Sequence, residues 1–303
     1  MNLFDLQIQT TASDGRHSSR EIVKMAYDLG VKTIAITDHD TIAGVEEALL
    51  VGGEYGIRVI PGVEMSVEEN NSHILGFGVD FRNEKFLAVL DTLRQGRIES
   101  LKKLVENLKI NEGFIIEWED VLKEAGGATT IASPHVVYAV LNRSENKEKL
   151  ERDGVKQKFE FYKKYLSDSG PNHVKRSHTS ATQAIDMIHG AGGVAVWSHP
   201  ALHFQGDYEK LEELLKKMIA WKIDGVEVFN PSHTEDDVEF LESLVHKYNL
   251  LRTGGSDFHD AGTHVRSERG LHSADMLGDY DTYGFSTDDI IVKLDEAIMK
   301  QKA

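Results

Sequence analysis

Five residues of metal-ligand type, His39, Glu64, His199, Asp257 and His259, each fall at or just past the end of a short apolar run. The runs are Thr33 to Ile36, Val59 to Val63, Val194 to Trp197 and Leu250 to Gly255, and each reads as a β-strand. Strands from distant parts of a chain that all deliver ligand residues at their C-terminal ends imply a parallel barrel with a metal cluster at its mouth. At 303 residues the chain is long enough for a full barrel or for two ordinary domains.

The rhythm around these runs is βα. Leu3 to Gln9 reads as a strand, and Ser18 or Ser19 caps a helix through Ala26 that ends near Gly30. A strand follows at 32–37, then a helix capped by Thr41 from Ile42 to Tyr55, then a strand from Ile57 to Glu64. Asn70-Asn71 reads as a turn into His73 to Val79, the return arm of a hairpin. From Asn83 to Tyr165 the pattern becomes helical, with Leu-spaced charged stretches at Phe86–Leu108 and Lys147–Leu166 and shorter helices near Trp118–Glu124 and Pro134–Leu141. The βα rhythm resumes with a helix from Ser180 to His189 and a strand to Ser198, and a helix from Thr287 closes the chain. Residues 1–82 and 170–303 are therefore expected to build the barrel, with 83–169 as a mostly helical insertion capping the substrate. Gly262 to Gly284, rich in Gly and Asp, reads as a loose loop.

Fifty acidic against 34 basic residues give a formal charge of −16, which disfavours long nucleic acids and anionic membranes. The absence of cysteine excludes disulfides, thiolate metal sites and cysteine nucleophiles. No basic segment followed by an apolar core begins the chain, and no apolar run approaches the roughly 18–20 residues that span a bilayer, so a cytoplasmic protein is expected.

Several segments carry more than periodicity. Thr11-Ala-Ser-Asp-Gly15, Ala35-Ile-Thr-Asp-His-Asp40, Pro61-Gly-Val-Glu-Met-Ser66, His73-Ile-Leu-Gly76, Ser198-His-Pro200 and Thr253-Gly-Gly-Ser-Asp-Phe-His259 occur in the order found in the PHP (polymerase and histidinol phosphatase) superfamily. The chain resembles its stand-alone phosphoesterases acting on nucleoside monophosphates and 3′,5′-bisphosphates. The resemblance runs from residue 5 to about residue 260 and implies an α/β fold, a distorted (β/α)7 TIM-like barrel with up to three divalent ions at its mouth. It implies that Asp14, His39 and His259 hold one ion and Glu64, His73 and His199 another, with Asp257 and a bridging Glu64 at a third. Mn²⁺ is the first expectation, with Fe²⁺, Zn²⁺ and Mg²⁺ as the other fits. The implied activity is hydrolysis of a small phosphomonoester, a nucleotide, by metal-activated water, with Asp257 or His199 protonating the leaving oxygen. His135, Arg94, Arg97, Arg143 and His233 are the substrate-facing candidates, and His17, His189, His246 and His272 read as structural.

One motif departs from the family. Its first segment, Asp-Leu-His-x-His, here reads Asp5-Leu6-Gln7-Ile8-Gln9. Gln7 and Gln9 alternate with apolar neighbours and so keep the direction of the lost imidazoles, offering neutral carbonyl oxygens as weaker ligands. A natural variant running on two ions, a degenerate homologue and an engineered inactive form are all consistent with the change. The alternative function is a PHP fold that binds nucleotide or metal without turnover. A metal-dependent amidohydrolase shares the metal logic, but no lysine is placed like the carboxylated ligand of that group.

Overall fold

The computed structural model describes residues 2–166, 170–174, 179–204, 206–260, 266–267, 270–271 and 273–303. Seven strands, β1 (Phe4–Asp5), β2 (Thr33–Ile36), β3 (Arg58–Ser66), β4 (His73–Phe77), β5 (Val194–Ser198), β6 (Gly225–Phe229) and β7 (Leu251–Gly254), follow one another in sequence order around one sheet. All neighbours pair in parallel except β4, which runs antiparallel to both β3 and β5. β4 is the hairpin return arm expected from the sequence, and it is what distorts the barrel.

The ring closes between the first and last strands. Leu6 N–H donates to Gly254 O (3.2 Å), Gln9 N–H donates to Phe258 O (2.9 Å), and Ile8 bridges Phe258 in parallel. Closure depends on a missing side chain, because a Cβ on Gly255 would lie 2.5 Å from the Gln7 backbone nitrogen. β1 is shorter than the strand expected over Leu3 to Gln9, although past Asp5 the chain is held on both sides, Ile8 O accepting from Thr37 N–H (2.9 Å) and Ile8 bridging Phe258.

Around the barrel run α1 (Ser19–Leu29), α2 (Val45–Tyr55), α8 (Ala181–Gly190), α9 (Pro200–Phe204), α10 (Tyr208–Ala220), α11 (Glu235–Tyr248) and α12 (Ile290–Gln301). Between β4 and α8 lie α3 (Glu84–Glu112), α4 (Trp118–Ala125), α5 (Ser133–Leu141), α6 (Lys147–Arg152) and α7 (Lys158–Tyr165). Ser18 caps α1 in a full capping box with Glu21, and Gly30 ends it in the left-handed region. Thr41 does not cap α2. Its hydroxyl accepts from Ala43 N–H in a turn, and the helix begins three residues later than expected, after Gly44. The single helix expected over Lys147–Leu166 is two, parted at Gly154, which takes φ +72°.

Two apolar cores result. The barrel core gathers Leu6, Ile8, Ile34, Ile36, Met65, Ile74, Trp197 and Phe229, and the second core gathers Leu104, Leu108, Phe114, Val136, Val140 and Phe161. α3 serves both: Phe86 and Leu90 enter the barrel core, whereas Leu101, Leu104, Val105 and Leu108 enter the second. The stretch read as a loose loop packs on the barrel in its later half. Leu277 and Tyr280 are buried in the barrel core, and Gly278 N–H donates to the Asp5 carboxylate (2.7 Å). Residues 262–265, 268, 269 and 272 of that stretch, His272 included, lie outside the described residues. No helix among the described residues is long and apolar enough to cross a membrane.

Candidate metal centre

The C-terminal ends of the strands deliver their polar side chains to one mouth. Glu64, near the end of β3, is its centre and is 1% exposed. Its Oε1 lies 2.7 Å from His73 Nδ1 on β4 and 3.3 Å from His199 Nε2 just past β5. Its Oε2 accepts from Gln9 Nε2 (2.6 Å) and Gln7 Nε2 (3.2 Å), and His39 Nδ1 stands 3.9 Å away. The rings of His39, His73 and His199 follow one another edge-on at 5.1 and 5.3 Å between centroids. On the other flank, His259 Nε2 is 3.8 Å from Asp14 Oδ1, and the His259 ring is held by a 2.6 Å contact of Nδ1 with Asp257 O.

Two turns place these groups. His199 takes φ +28° and Asp257 φ +49°, left-handed backbone that a non-glycine residue adopts at a cost. The first turn is held by the buried Glu227 carboxylate, which accepts the His199 N–H (2.9 Å).

The described residues contain two sets whose ligand atoms lie within 4.8 Å of one another: Asp14, His39 and His259, and His39, Glu64 and His73. The first set is the one expected. The second differs from the expected trio, because His39 is shared between both sets while His199 approaches Glu64 from the side. Buried atoms without a hydrogen-bond partner concentrate here. They include Asp14 Oδ1, His39 Nδ1, His199 Nδ1, His233 Nε2 and Glu227 Oε1. Buried polar atoms are rarely left unpaired, and this donor set of imidazole and carboxylate can hold divalent cations.

Electrostatics point the same way. Burial pushes His39 down to about 4 against the pull of Glu64 and Asp14. Burial also lowers His199. At these two positions burial disfavours the charged imidazolium. Burial opposes ionisation of Glu64, but His39, His73 and His199 hold its carboxyl well below the usual carboxylate range. Asp14 is likewise lowered, burial being outweighed by His39 and His259. Asp257 and Glu227 are pushed well up, by burial first and then by neighbouring carboxylates, Glu64 among them. A cluster whose carboxylates repel one another in a buried place is relieved by protons or by cations.

Of the substrate-facing candidates, Arg97 reaches the mouth, where it pairs with the Asp40 carboxylate and donates to Ser66 Oγ (2.9 Å). Arg94 donates to the Asp40 carbonyl (3.2 Å). His135 accepts the Ala132 N–H at Nδ1 (3.0 Å), which leaves the proton of its neutral ring on Nε2, and burial lowers it against the pull of Asp14. His233, buried behind His199, donates from Nδ1 to Val228 O (2.8 Å), and burial lowers it to about 4. Arg143 is not brought to the mouth. It pairs with Asp120 and Glu145 on the insertion. His17 stacks on Phe258, His189 meets Asp224 (2.7 Å), and His246 lies exposed beside Glu242.

The structure also adds residues that sequence reading passed over. The His203 ring on α9 lies tilted against that of His199, 5.6 Å between centroids, and its signal was the four-residue spacing after His199. Glu227 was visible as a lone carboxylate inside the apolar run Gly225-Val-Glu-Val-Phe229. Beside the imidazoles opens a cavity of about 480 Å³, lined on one side by His73, His203 and Arg97 and on the other by Leu101, Leu104, Tyr162 and Leu166 of the insertion.

With this geometry in hand, comparison with known proteins is informative. Residues 5–228 match the PHP domain family. A 5′-3′ exoribonuclease of Haemophilus influenzae is 33% identical over 84% of this chain and 89% of its own. A 3′,5′-nucleoside bisphosphate phosphatase of Chromobacterium violaceum is 28% identical over 86% and 88%. A crystal structure of a candidate metal-dependent phosphoesterase from Bifidobacterium adolescentis superposes with a TM-score of 0.77 at 27% identity, covering 97% of this chain and 96% of that one. The strand-end ligands, the distorted seven-stranded barrel and a match across most of the sequence lead to one conclusion: the chain belongs to the PHP domain family.

Proposed function

We propose that this protein is a metal-dependent phosphoesterase that hydrolyses a small phosphomonoester, a nucleoside mono- or bisphosphate. One observation carries the reading. The unpartnered buried atoms Asp14 Oδ1, His39 Nδ1 and His199 Nδ1 converge with Glu64 and His73 at a mouth that opens on a cavity of about 480 Å³. The relatives named as acting on nucleotides and RNA support the substrate class.

Divalent ions, when bound, supply Lewis-acid polarisation of phosphoryl oxygens and a more acidic water. Asp14, His39 and His259, with Glu64, His73 and His199, would hold them, and Mn²⁺ suits this mixture of imidazole and carboxylate. The chain's other groups orient the substrate. The Arg97 guanidinium, partly compensated by Asp40, offers N–H donors to a phosphate at the cavity edge. His135 presents Nε2–H near Asp14. Tyr162, Leu101, Leu104 and Leu166 give a flat apolar wall that suits a base or sugar face. Asp257 and His199, both at the mouth, are the candidates for protonating the leaving oxygen.

The test is phosphate release from a panel of nucleoside mono- and bisphosphates and short oligoribonucleotides with Mn²⁺. His39→Ala is expected to abolish release, and Asp257→Asn to lower kcat by about 10²–10⁴-fold. Full turnover in either variant would sink the assigned centre. A second reading, nucleotide binding without turnover, is favoured by Gln7 and Gln9. It predicts calorimetric binding with no phosphate released at saturating Mn²⁺.

A further inference from the structure

We infer that the innermost position of the mouth, between β1 and Glu64, is closed by a hydrogen-bonded pair of glutamine amides, and that the centre takes two divalent ions rather than three. The inference rests on the metal-centre reading above and concerns how this chain departs from it.

The orientation of the amides is fixed by a chain of donors. Ser232 N–H, which can only donate, reaches Asn230 Oδ1 at 3.0 Å. Asn230 therefore presents its Nδ2 to Gln7 Oε1 (3.2 Å) and Glu227 Oε2 (3.1 Å). With its oxygen occupied there, Gln7 turns its NH₂ inward, to Glu64 Oε2 (3.2 Å) and Ser198 Oγ (3.0 Å). Gln9 does the same from the next inward-facing position. Its NH₂ donates to Glu64 Oε2 (2.6 Å) while its oxygen contacts Ser13 Oγ (3.0 Å). Both glutamines are 0% exposed.

Glu64 is thus two-faced. Its Oε1 faces His73 Nδ1 and His199 Nε2, ring nitrogens that become acceptors for a cation once the proton sits on the other nitrogen of the ring, as an amide NH₂ cannot. Its Oε2 has His39 Nδ1 3.9 Å away and already carries two amide donors, so a cation arriving between it and the glutamines meets N–H hydrogens. To make Gln7 a ligand its amide must turn over, which would set its NH₂ against the NH₂ of Asn230. Asn230 cannot compensate, because its own oxygen is held by the Ser232 backbone. The amides give the inner carboxylate oxygen the positive partners that a metal would otherwise provide.

The experiment counts metal rather than turnover. The full chain is loaded with Mn²⁺, desalted and analysed by inductively coupled plasma mass spectrometry, and Mn²⁺-soaked crystals are examined for anomalous density. The expected result is two ions per chain, beside His39 and beside His73, with no peak between Gln7 and Gln9. In Gln7→His/Gln9→His, which replaces donors by imidazole lone pairs, a third ion is expected. Three ions in the unaltered chain, or a peak between the glutamines, would overturn the inference while leaving the phosphoesterase reading intact. A folded double variant that still holds two ions would also overturn it. Fewer than two ions in the unaltered chain would overturn the metal centre itself, and this inference with it. If the double variant fails to fold, the count and density of the unaltered chain decide alone.

Discussion

Asp5 shows how much one side chain organises behind the mouth. Its Oδ1 accepts from Ser256 N–H (2.9 Å) and Gln7 N–H (3.3 Å), and its Oδ2 from Ser256 Oγ (2.5 Å) and Gly278 N–H (2.7 Å). The first strand, the ligand-bearing turn after β7 and the segment around Gly278 therefore share one carboxylate. Asp5→Asn places an NH₂ against donors and is expected to lower stability by about 2–3 kcal/mol in denaturant melts. An unchanged midpoint would mean that these bonds form to water equally well. At this scale the sequence told which residue types were present but not their hydrogen-bonding sense. That Gln7 and Gln9 face inward follows from alternation along a strand. That they face inward as donors depends on Asn230 and Ser232, far away in the chain.

Elements were legible where local chemistry settles them. Ser18 and Glu21 form the capping box written into the sequence, and Thr234 caps α11 with Asp237. Boundaries failed where a residue had two local options, as Thr41 did in closing a turn instead of a helix. In the insertion, Asp153 lies at the break between α6 and α7 and gathers the Tyr165 hydroxyl (2.7 Å) and Lys149 Nζ (2.9 Å). These hydrogen bonds, led by Tyr165, hold its carboxyl down to about 2. A depressed carboxylate stabilises the fold above its unfolded pKa of about 3.9 and loses that contribution as pH falls toward 2. The melting-temperature gap between this protein and Asp153→Asn should therefore be full at neutral pH and shrink as pH drops from about 4 to about 2. A gap constant with pH would place the effect elsewhere than in the charge.

For the whole molecule, the strand-end ligands and βα rhythm were enough to predict a barrel, and β4 reversed as the Asn70-Asn71 turn suggested. The sharing of one long helix by two cores was not readable, because apolar spacing along α3 does not say which core each half meets. A centre assembled from so many elements couples occupancy to folding. Mn²⁺ at about a hundredfold its Kd should add ~2.7 kcal/mol to stability. Thermal melts with Mn²⁺ and with chelator should differ by several degrees. His39→Ala, which removes the imidazole shared by both sets, should narrow that difference sharply. Identical melts would argue against a cation site here.

α3 is 29 residues long, about 43 Å at the usual helical rise. Its first turns are set into the barrel, its last turns into the insertion, and Arg94 and Arg97 pin its middle to Asp40 beside the mouth. Such a helix is a single rod shared by two cores and pinned beside the mouth, so a displacement of its far half would be felt at the Arg97–Asp40 pair.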